Sequence, residues 1–396
     1  MNRSYQIKVK HSRLMSCSAQ RLTVTMCLLL PVLLSGSVEA AKSPPFLCIL
    51  PVGDSITQGI QKLGSFRSHL NDLLVTHANK TYALIAGHEF MGFESGHCNV
   101  VNPLVKESIS ASLREESDPQ ALNRVSSFTM PHQGHCGWTS TQVLQGLENI
   151  FNGTAATPQD RAWQKHYRDT FQSCQEKAAE AGKRRGVKLS VLVVATLFVG
   201  HNDVFYSASR CTTTRYKKKG NGENQECIER VMELYRKNIH RILEVLNAEY
   251  VGRQKLPLLV LFGLNTPTNY LPYDELLHSH IQAEVKAWQR HPSDGKCVPH
   301  QTRSVVRPVS FDGFGNEMTV DTTHPDIRGS SLLGNSWMTS LLACLRDDLR
   351  DASDGSVDDV GIDPGSRTIA GLFFVTLSVA VLVCMMRRRK SSRPRD

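Results

Sequence analysis

The sequence predicts an α/β domain in which helices cover both faces of a parallel, doubly wound sheet of about five strands. Five apolar runs have strand length and β-branched content, at 46–53, 81–87, 189–200, 256–264 and 302–311. Their hydrophobicity is continuous rather than alternating, which is typical of strands buried on both faces of a parallel sheet. Helical patterns lie between them, at 65–77, 138–151, 227–250 and 329–349. This alternation of strands and helices predicts the doubly wound arrangement.

The N-terminal segment 1–40 has the features of a signal peptide. Basic residues precede an apolar core of suitable length, and the sequence around Ala40 fits a cleavage site. An uncleaved anchor is the alternative, although Pro31 and the short apolar run count against it. In either case we expect the residues that follow to lie on the lumenal or extracellular side.

The C-terminal segment 368–386 predicts a single transmembrane helix. It contains 19 residues without a charge, and at about 1.5 Å per residue it spans roughly 28 Å, the thickness of a bilayer core. The basic segment 387–396 follows as a cytoplasmic tail, and this ending argues against a glycolipid anchor. The acidic segment 351–367 is expected to be a flexible stalk. The sequence therefore predicts a type I membrane protein of the secretory pathway or plasma membrane, with an exported domain at 41–350.

The positive charge of the chain belongs to its two ends. The formal net charge is +9, but residues 41–386 contain 35 basic and 35 acidic residues. The folded part therefore gives no indication of a nucleic acid partner.

Cysteines and glycosylation sequons agree with export. Eight cysteines lie in the exported part: Cys48, Cys98, Cys136, Cys174, Cys211, Cys227, Cys297 and Cys344. This even number predicts up to four disulfides. The one pairing that we predict is Cys211–Cys227, because it closes the polar loop between them. Asn79 and Asn152 begin N-glycosylation sequons.

Four short sequence blocks contain the candidate reactive groups. In GDSITQG, Ser55 follows the first strand; most serines in that position only bond the local backbone, so the other blocks decide its role. In HQGHCGW, Gly137 lies in a tight loop before a helix, where its N–H can point into a cleft. In GHND, Asn202 follows a buried strand. In DTTHP, Asp321 and His324 are spaced so that the carboxylate can hold one imidazole nitrogen and leave the other free. These groups together suffice for acyl transfer.

In this order, the blocks resemble those of the SGNH (GDSL-type) hydrolases. The set GDSITQG, GSFRSHL, HQGHCGW, GHND and DTTHP is most similar to the acetylxylan-esterase-like carbohydrate esterases, over nearly the whole exported domain. The resemblance implies a flavodoxin-like sheet, with Ser55 as nucleophile, His324 as base and Asp321 as the group that orients it. It also implies an oxyanion hole made of the Ser55 and Gly137 N–H groups and the Asn202 side chain. No metal and no organic cofactor is expected.

Three further side chains are candidate substrate contacts. They are His132, Trp138 and His201. His132 and His135 form a loose H-x-x-H pair, but no third ligand completes a metal set, so local packing or substrate contact is preferred. Trp138 is as well suited to a hydrophobic core as to stacking on a sugar ring. His201 stands where the family often has a small polar residue.

Three charged residues near the blocks are expected to support the site. Asp54 is expected to cap or brace the turn at Ser55, and Asp203 to brace the loop that carries Asn202. Arg67, in GSFRSHL, is a candidate brace for the loop after Ser55, although a solvated arginine is the usual finding on a helix.

Three functions remain open on the sequence alone. The leading hypothesis is a membrane-anchored serine esterase that removes acyl groups, most simply acetyl, from carbohydrates, with an acylated glycan or another small ester as substrate. A lipid esterase or lysophospholipase is an alternative that requires an apolar acyl channel. A catalytically inactive glycan-binding ectodomain is a third, although such a module has no need of Asp321 and His324 together.

Overall fold

Parallel strands form the centre of the domain. The structure is a computed structural model that describes residues 43–60, 63, 65–80, 83–98, 103–115, 130–154, 156–212, 225–264, 271–289, 304–321 and 323–354. The strands in these ranges are β1 (Phe46–Gly53), β2 (Gly87–Phe90), β3 (Gln133–Gly134), β4 (Val191–Phe198), β5 (Leu258–Gly263) and β6 (Ser304–Val309). They form one sheet in the order β2-β1-β4-β5-β6, with β3 paired to the end of β1, and every pairing is parallel. The predicted parallel sheet is confirmed.

Helices cover both faces of this sheet. They are α1 (Ser55–Gln58), α2 (Phe66–Ala78), α3 (Pro103–Glu115), α4 (Ser140–Phe151), α5 (Pro158–Arg185), α6 (His201–Thr212), α7 (Gln225–Asn247), α8 (Leu271–Gln289) and α9 (Ile327–Asp354). A π-helix, Ala248–Arg253, continues α7, and a 3₁₀ turn, Asn316–Met318, precedes α9. Helices α4, α5, α7 and α8 pack on one face of the sheet, and α2 and α9 pack on the other.

The buried strands explain the continuous apolar runs. In β1, Cys48 and Leu50 face one cluster of buried side chains, whereas Leu47 and Ile49 face the other. Successive side chains of a strand point to opposite faces, so a strand covered on both faces needs apolar residues at every position. Strands β4 and β5 follow the same rule.

The second strand differs from its prediction. The apolar run 81–87 was expected to form it, but the residues that pair with β1 are Gly87–Phe90. Ile85 is completely buried without belonging to a strand, so hydrophobicity in this run marks burial rather than pairing. β2 lies at the edge of the sheet, and of its four residues only Phe90 is apolar and buried, whereas His88 and Glu89 are polar and partly buried.

Some of the remaining predicted segments fall within the described residues, and others lie outside them. The two stretches without strand signals, 97–130 and 152–188, contain α3 and the 28-residue α5. Helix α9 continues to Asp354, which corrects the predicted start of the stalk. The predicted signal peptide, transmembrane helix and cytoplasmic tail lie outside the described residues. Within the described ranges, no helix has the length and apolar character needed to cross a membrane.

Disulfides join distant parts of the domain. Cys48–Cys174 links β1 to α5, and Cys211–Cys227 links α6 to α7 as predicted. A third bond joins Cys98 to Cys136. Cys344 is also disulfide-bonded; the eighth cysteine of the exported part, Cys297, lies outside the described residues.

Candidate active site

The turn after β1 places Ser55 at the carboxyl edge of the sheet, where it is largely buried. β1 ends at Gly53, where a Cβ atom would lie 2.0 Å from the Phe198 carbonyl oxygen, so only glycine allows this close approach to β4. Asp54 then caps the single turn α1, since its Oδ1 accepts the Ile56 N–H at 3.0 Å. The expected structural role of Asp54 is confirmed. Ser55 becomes the first residue of the helical turn.

A hydrogen-bonded chain connects Ser55 to His324 and Asp321. Nε2 of His324 lies 2.8 Å from Ser55 Oγ, and its Nδ1 lies 2.6 Å from Asp321 Oδ2. The other carboxylate oxygen, Oδ1, accepts the backbone N–H groups of His324 at 2.7 Å and of Thr323 at 3.2 Å. This local turn is why a spacing of three residues suffices. The network assigns the proton to Nδ1 and leaves Nε2 free to accept the hydroxyl proton of Ser55.

The environment keeps the carboxylate of Asp321 ionised. Burial alone would raise the pKa of Asp321, but the hydrogen bonds from the His324 ring and from the two backbone N–H groups outweigh it and lower that pKa. A fixed negative charge at this position stabilises the imidazolium that forms when His324 takes a proton.

Two backbone N–H groups are available as oxyanion donors. Ser55 is the first residue of α1, so its N–H has no helical acceptor. Gly137 has a φ of +75°, a conformation that favours glycine. Among the described residues, neither N–H has a hydrogen-bond acceptor.

Two hydrogen bonds hold the loop that contains Gly137 between α1, which begins with Ser55, and α6. The Cys136 N–H donates to Gln58 Oε1 of α1 at 2.7 Å, and Asn202 Nδ2 donates to the Trp138 carbonyl at 3.0 Å. An amide nitrogen carries two hydrogens, and this bond uses only one of them. These two bonds connect the residues on either side of Gly137 to α1, which begins with Ser55, and to Asn202.

Arg67 is a buried clamp rather than a solvated side chain. It is 1% exposed. Its guanidinium donates to Ser65 Oγ at 2.9 Å, to the Gln58 carbonyl at 2.8 Å and to the Met130 carbonyl. Burial lowers its pKa to about 9, so it remains charged at neutral pH. Arg67 therefore ties the end of α1 to Met130, in the segment before β3, which agrees with the bracing hypothesis.

Asp203 anchors the first turn of α6. Its two carboxylate oxygens accept the Ser140 N–H at 2.8 Å and the Ser140 hydroxyl at 2.6 Å. Asn238 of α7 donates to the same hydroxyl at 2.9 Å. Burial raises the pKa of Asp203 to about 6, and the nearby charge of Asp54 adds to this effect. The predicted bracing role of Asp203 is confirmed, and the network fixes the backbone on which Asn202 stands.

Two solved structures are similar to this chain. A family 3 carbohydrate esterase from Clostridium thermocellum matches with a TM-score of 0.37 and 18% identity, over 76% of this chain and 98% of that one. An acetyl xylan esterase from the rumen bacterium Butyrivibrio proteoclasticus matches with a TM-score of 0.31 and 11% identity, over 77% of this chain and 64% of that one. No protein-family model matches the chain, and no curated protein matches it.

The structure corrects one candidate substrate contact, His132, and leaves another, His201, untested. His132 is completely buried; its Nε2 donates to the Gly96 carbonyl at 2.8 Å and its Nδ1 accepts the Gly134 N–H at 3.0 Å. Both ring nitrogens are used by the backbone, which leaves none for a substrate or a metal. His201 is 4% exposed, and its Nδ1 lies 3.5 Å from Asp54 Oδ2, next to the turn of Ser55. Contact between His201 and a substrate stays a prediction.

Trp138 is partly buried, and its ring already has a stacking partner. The ring lies 3.7 Å from that of His135, centroid to centroid. Contact between Trp138 and a substrate stays a prediction. In the described part of the chain, no group of three or more His, Cys, Asp or Glu side chains is arranged to hold a metal ion.

The sequence reasoning missed Ser140, Asn238 and the ring pair Phe205 and Tyr206. Ser140 and Asn238 lie in predicted helices, and nothing else in the sequence indicated that they take part in the site. Tyr206 did carry a signal, because it follows Asn202 by four residues in a helix and therefore shares its face.

Proposed function

We propose that this protein is a serine esterase that hydrolyses O-acyl esters of carbohydrates, most simply O-acetyl esters, through an acyl-enzyme. The observation that carries the proposal is the continuous hydrogen-bonded chain from Ser55 Oγ to His324 Nε2 at 2.8 Å and from His324 Nδ1 to Asp321 at 2.6 Å. A nucleophile within hydrogen-bond reach of a base, which a third group orients, is the arrangement that nucleophilic catalysis requires.

Acylation begins when His324 Nε2 takes the Ser55 hydroxyl proton. Ser55 Oγ then forms a bond to the ester carbonyl carbon, and the carbonyl electron pair moves to its oxygen. The oxyanion is received by the N–H groups of Ser55 and Gly137 and by the Asn202 amide. As the tetrahedral species collapses, the bond to the alcohol oxygen breaks and His324 returns its proton to that oxygen. Asp321 holds the ring throughout and stays ionised.

Deacylation repeats these steps with water. His324 takes a proton from the water as its oxygen attacks the acyl carbon, and the same donors receive the second oxyanion. Collapse breaks the bond to Ser55 Oγ, which regains its proton from His324. The product is a carboxylic acid, and the enzyme returns to its starting state.

The carbohydrate ester is proposed from the sequence blocks. The set from GDSITQG to DTTHP is most similar to the acetylxylan-esterase-like carbohydrate esterases. An alcohol leaves more readily than an amine, which favours an ester over an amide. A glycan-binding module without activity would have no use for the assembled triad.

We also propose that the catalytic domain works on the lumenal or extracellular side, tethered by the segment 368–386. The disulfides support an oxidising compartment. Asn79 and Asn152 are both exposed, as glycan acceptors must be. A mobility shift on treatment with an N-glycosidase, lost in Asn79→Gln with Asn152→Gln, tests this proposal; an unshifted wild-type protein would oppose it.

The test of the esterase uses the full chain purified from a eukaryotic host. We expect a fluorophosphonate probe to label it, and p-nitrophenyl acetate to be hydrolysed. Both signals should disappear in Ser55→Ala and persist in Ser310→Ala, which changes an exposed serine. A folded wild-type protein with neither signal would refute the proposal.

A further inference from the structure

Two exposed aromatic rings lie side by side on α6. Phe205 is 51% exposed and Tyr206 is 41% exposed. Their centroids are 5.5 Å apart, and the rings are nearly perpendicular. In the described part of the chain, the other large hydrophobic side chains with such exposure are Val75, Val187 and Leu234, none of which is aromatic. Exposed aromatic area is costly in water, and adjacent rings of this kind often mark a binding surface.

The position of Tyr206 brings this ring pair next to the loop that contains Gly137. Tyr206 follows Asn202 by four residues in α6, so both side chains leave the same face of the helix. The Tyr206 hydroxyl lies 3.5 Å from the place that a Cβ atom of Gly137 would occupy. The Tyr206 hydroxyl thus lies close to Gly137, and the Asn202 amide bonds the carbonyl of the next residue, Trp138. A substrate whose carbonyl oxygen enters the oxyanion hole must pass close to this ring.

We propose that Phe205 and Tyr206 form the subsite for the sugar ring that carries the acyl group. This inference rests on the proposed esterase function and specifies where its alcohol part binds. A pyranose ring has an apolar C–H face and hydroxyls around its edge. The face matches an aromatic surface, and the phenol hydroxyl of Tyr206 can exchange hydrogen bonds with the edge.

The openness of the two rings favours a sugar over a long acyl chain. Both rings stand on the outer surface of a helix, with about half of their area in contact with solvent. An acyl chain laid there would keep much of its apolar area in water and lose the free energy of burial. A sugar stacked on a ring instead leaves its polar edge hydrated, which is favourable.

The experiment compares two acetyl esters in the full chain. The substrates are an acetylated xylo-oligosaccharide and ethyl acetate, which has no ring to stack. We expect Tyr206→Ala and Phe205→Ala each to lower the ratio of kcat/KM for the sugar ester to that for ethyl acetate by about 3–10-fold, the usual range for an aromatic contact. Tyr206→Phe should lower the ratio less than Tyr206→Ala. The control Leu234→Ala removes an equally exposed side chain on α7 and should leave the ratio unchanged.

Three outcomes would overturn the subsite. An unchanged ratio means that the rings do not contact the sugar. Equal losses with both esters, together with slower fluorophosphonate labelling, mean that the rings only support the oxyanion loop. A selective loss with p-nitrophenyl octanoate relative to p-nitrophenyl acetate means that an acyl chain binds there. Normal labelling of Ser55 in these variants would show that the esterase itself stands, whereas a wild-type protein that is not labelled would overturn both proposals.

Discussion

In the proposed mechanism the side-chain amide of Asn202 makes two separable contributions, and its substitution tests the proposed oxyanion hole most directly. One of its hydrogens goes to the Trp138 carbonyl at 3.0 Å, which holds the loop of Gly137. The other is available to the oxyanion. Asn202→Ala removes both. Asn202→Asp keeps the shape of the side chain but replaces both donors with a negative charge.

The two contributions differ in size and in the quantity that reports them. Loss of one oxyanion donor lowers kcat by about 10²–10³-fold, or about 3–4 kcal/mol. Loss of the hydrogen bond to Trp138 lowers the free energy of unfolding by only about 0.5–1.5 kcal/mol. We therefore expect Asn202→Ala to melt close to the wild type but to turn over far more slowly. Asn202→Asp should be slower still, because its charge repels the developing oxyanion.

Steady-state hydrolysis of p-nitrophenyl acetate and thermal unfolding of the same preparations measure both quantities. Asn238→Ala is a matched control, since it removes an amide that donates to Ser140 and lies outside the proposed hole. We expect it to lower stability more than kcat. If Asn202→Ala lost stability while its kcat stayed at the wild-type value, the amide would serve only the loop, and its assignment to the oxyanion hole would be wrong.

Three further predictions concern the groups that hold the site. Arg67→Lys replaces a fork by a single nitrogen and leaves a buried carbonyl unpaired, so we expect stability to fall by about 1–3 kcal/mol and kcat to fall about 10-fold, as seen by thermal melting and turnover. Asp321→Asn should lower kcat by about 10³–10⁴-fold. The pKa of Asp321 is lowered in the folded state, so its ionised carboxylate stabilises the fold above the unfolded pKa of about 4. This stabilisation is lost as the pH falls below that value. In urea titrations across pH 2–5, the free energy of unfolding should therefore change less with pH in Asp321→Asn than in the wild type. Replacing Cys98 and Cys136 by serine removes a bond between residues 38 apart in sequence and should lower the free energy of unfolding by about 2–4 kcal/mol. A thiol titration that found eight free thiols in the denatured wild-type domain would contradict all of the disulfides.

The sheet could be predicted because burial on both faces leaves a strong pattern. Strands β1, β4 and β5 are covered by helices on each side, so nearly every residue is apolar and the runs stand out. The edge strand β2 pairs on one side only, and its pairing residues include His88 and Glu89. The adjacent run with Ile85 is more hydrophobic but does not pair. The apolar pattern therefore predicted the buried strands correctly but placed the edge strand a few residues too early.

The triad could be predicted because its chemistry demands particular residue types in short blocks. The direction of a side chain cannot be predicted in the same way. His132 and His324 both lie in loops, yet the backbone uses both ring nitrogens of His132 and only the carboxylate of Asp321 holds Nδ1 of His324. The sequence pointed to the difference only through Asp321, three residues before His324; it did not show that the backbone uses both ring nitrogens of His132. For the same reason Arg67 resembled an ordinary helical arginine until its carbonyl partners were known.

The two halves of the site are held in different ways, and this determines how substitutions should act. Asp321 and His324 belong to one short turn, in which the carboxylate bonds both the backbone and the ring of His324. Their mutual geometry is therefore local, and changes there act on proton transfer. The proposed oxyanion donors come from α1, the Gly137 loop and α6, which are held together by long-range contacts such as those of Arg67 and Asp203. Changes on that side should act by displacing donors, so a conservative variant that restores the contact should recover the rate, whereas no replacement for His324 should do so.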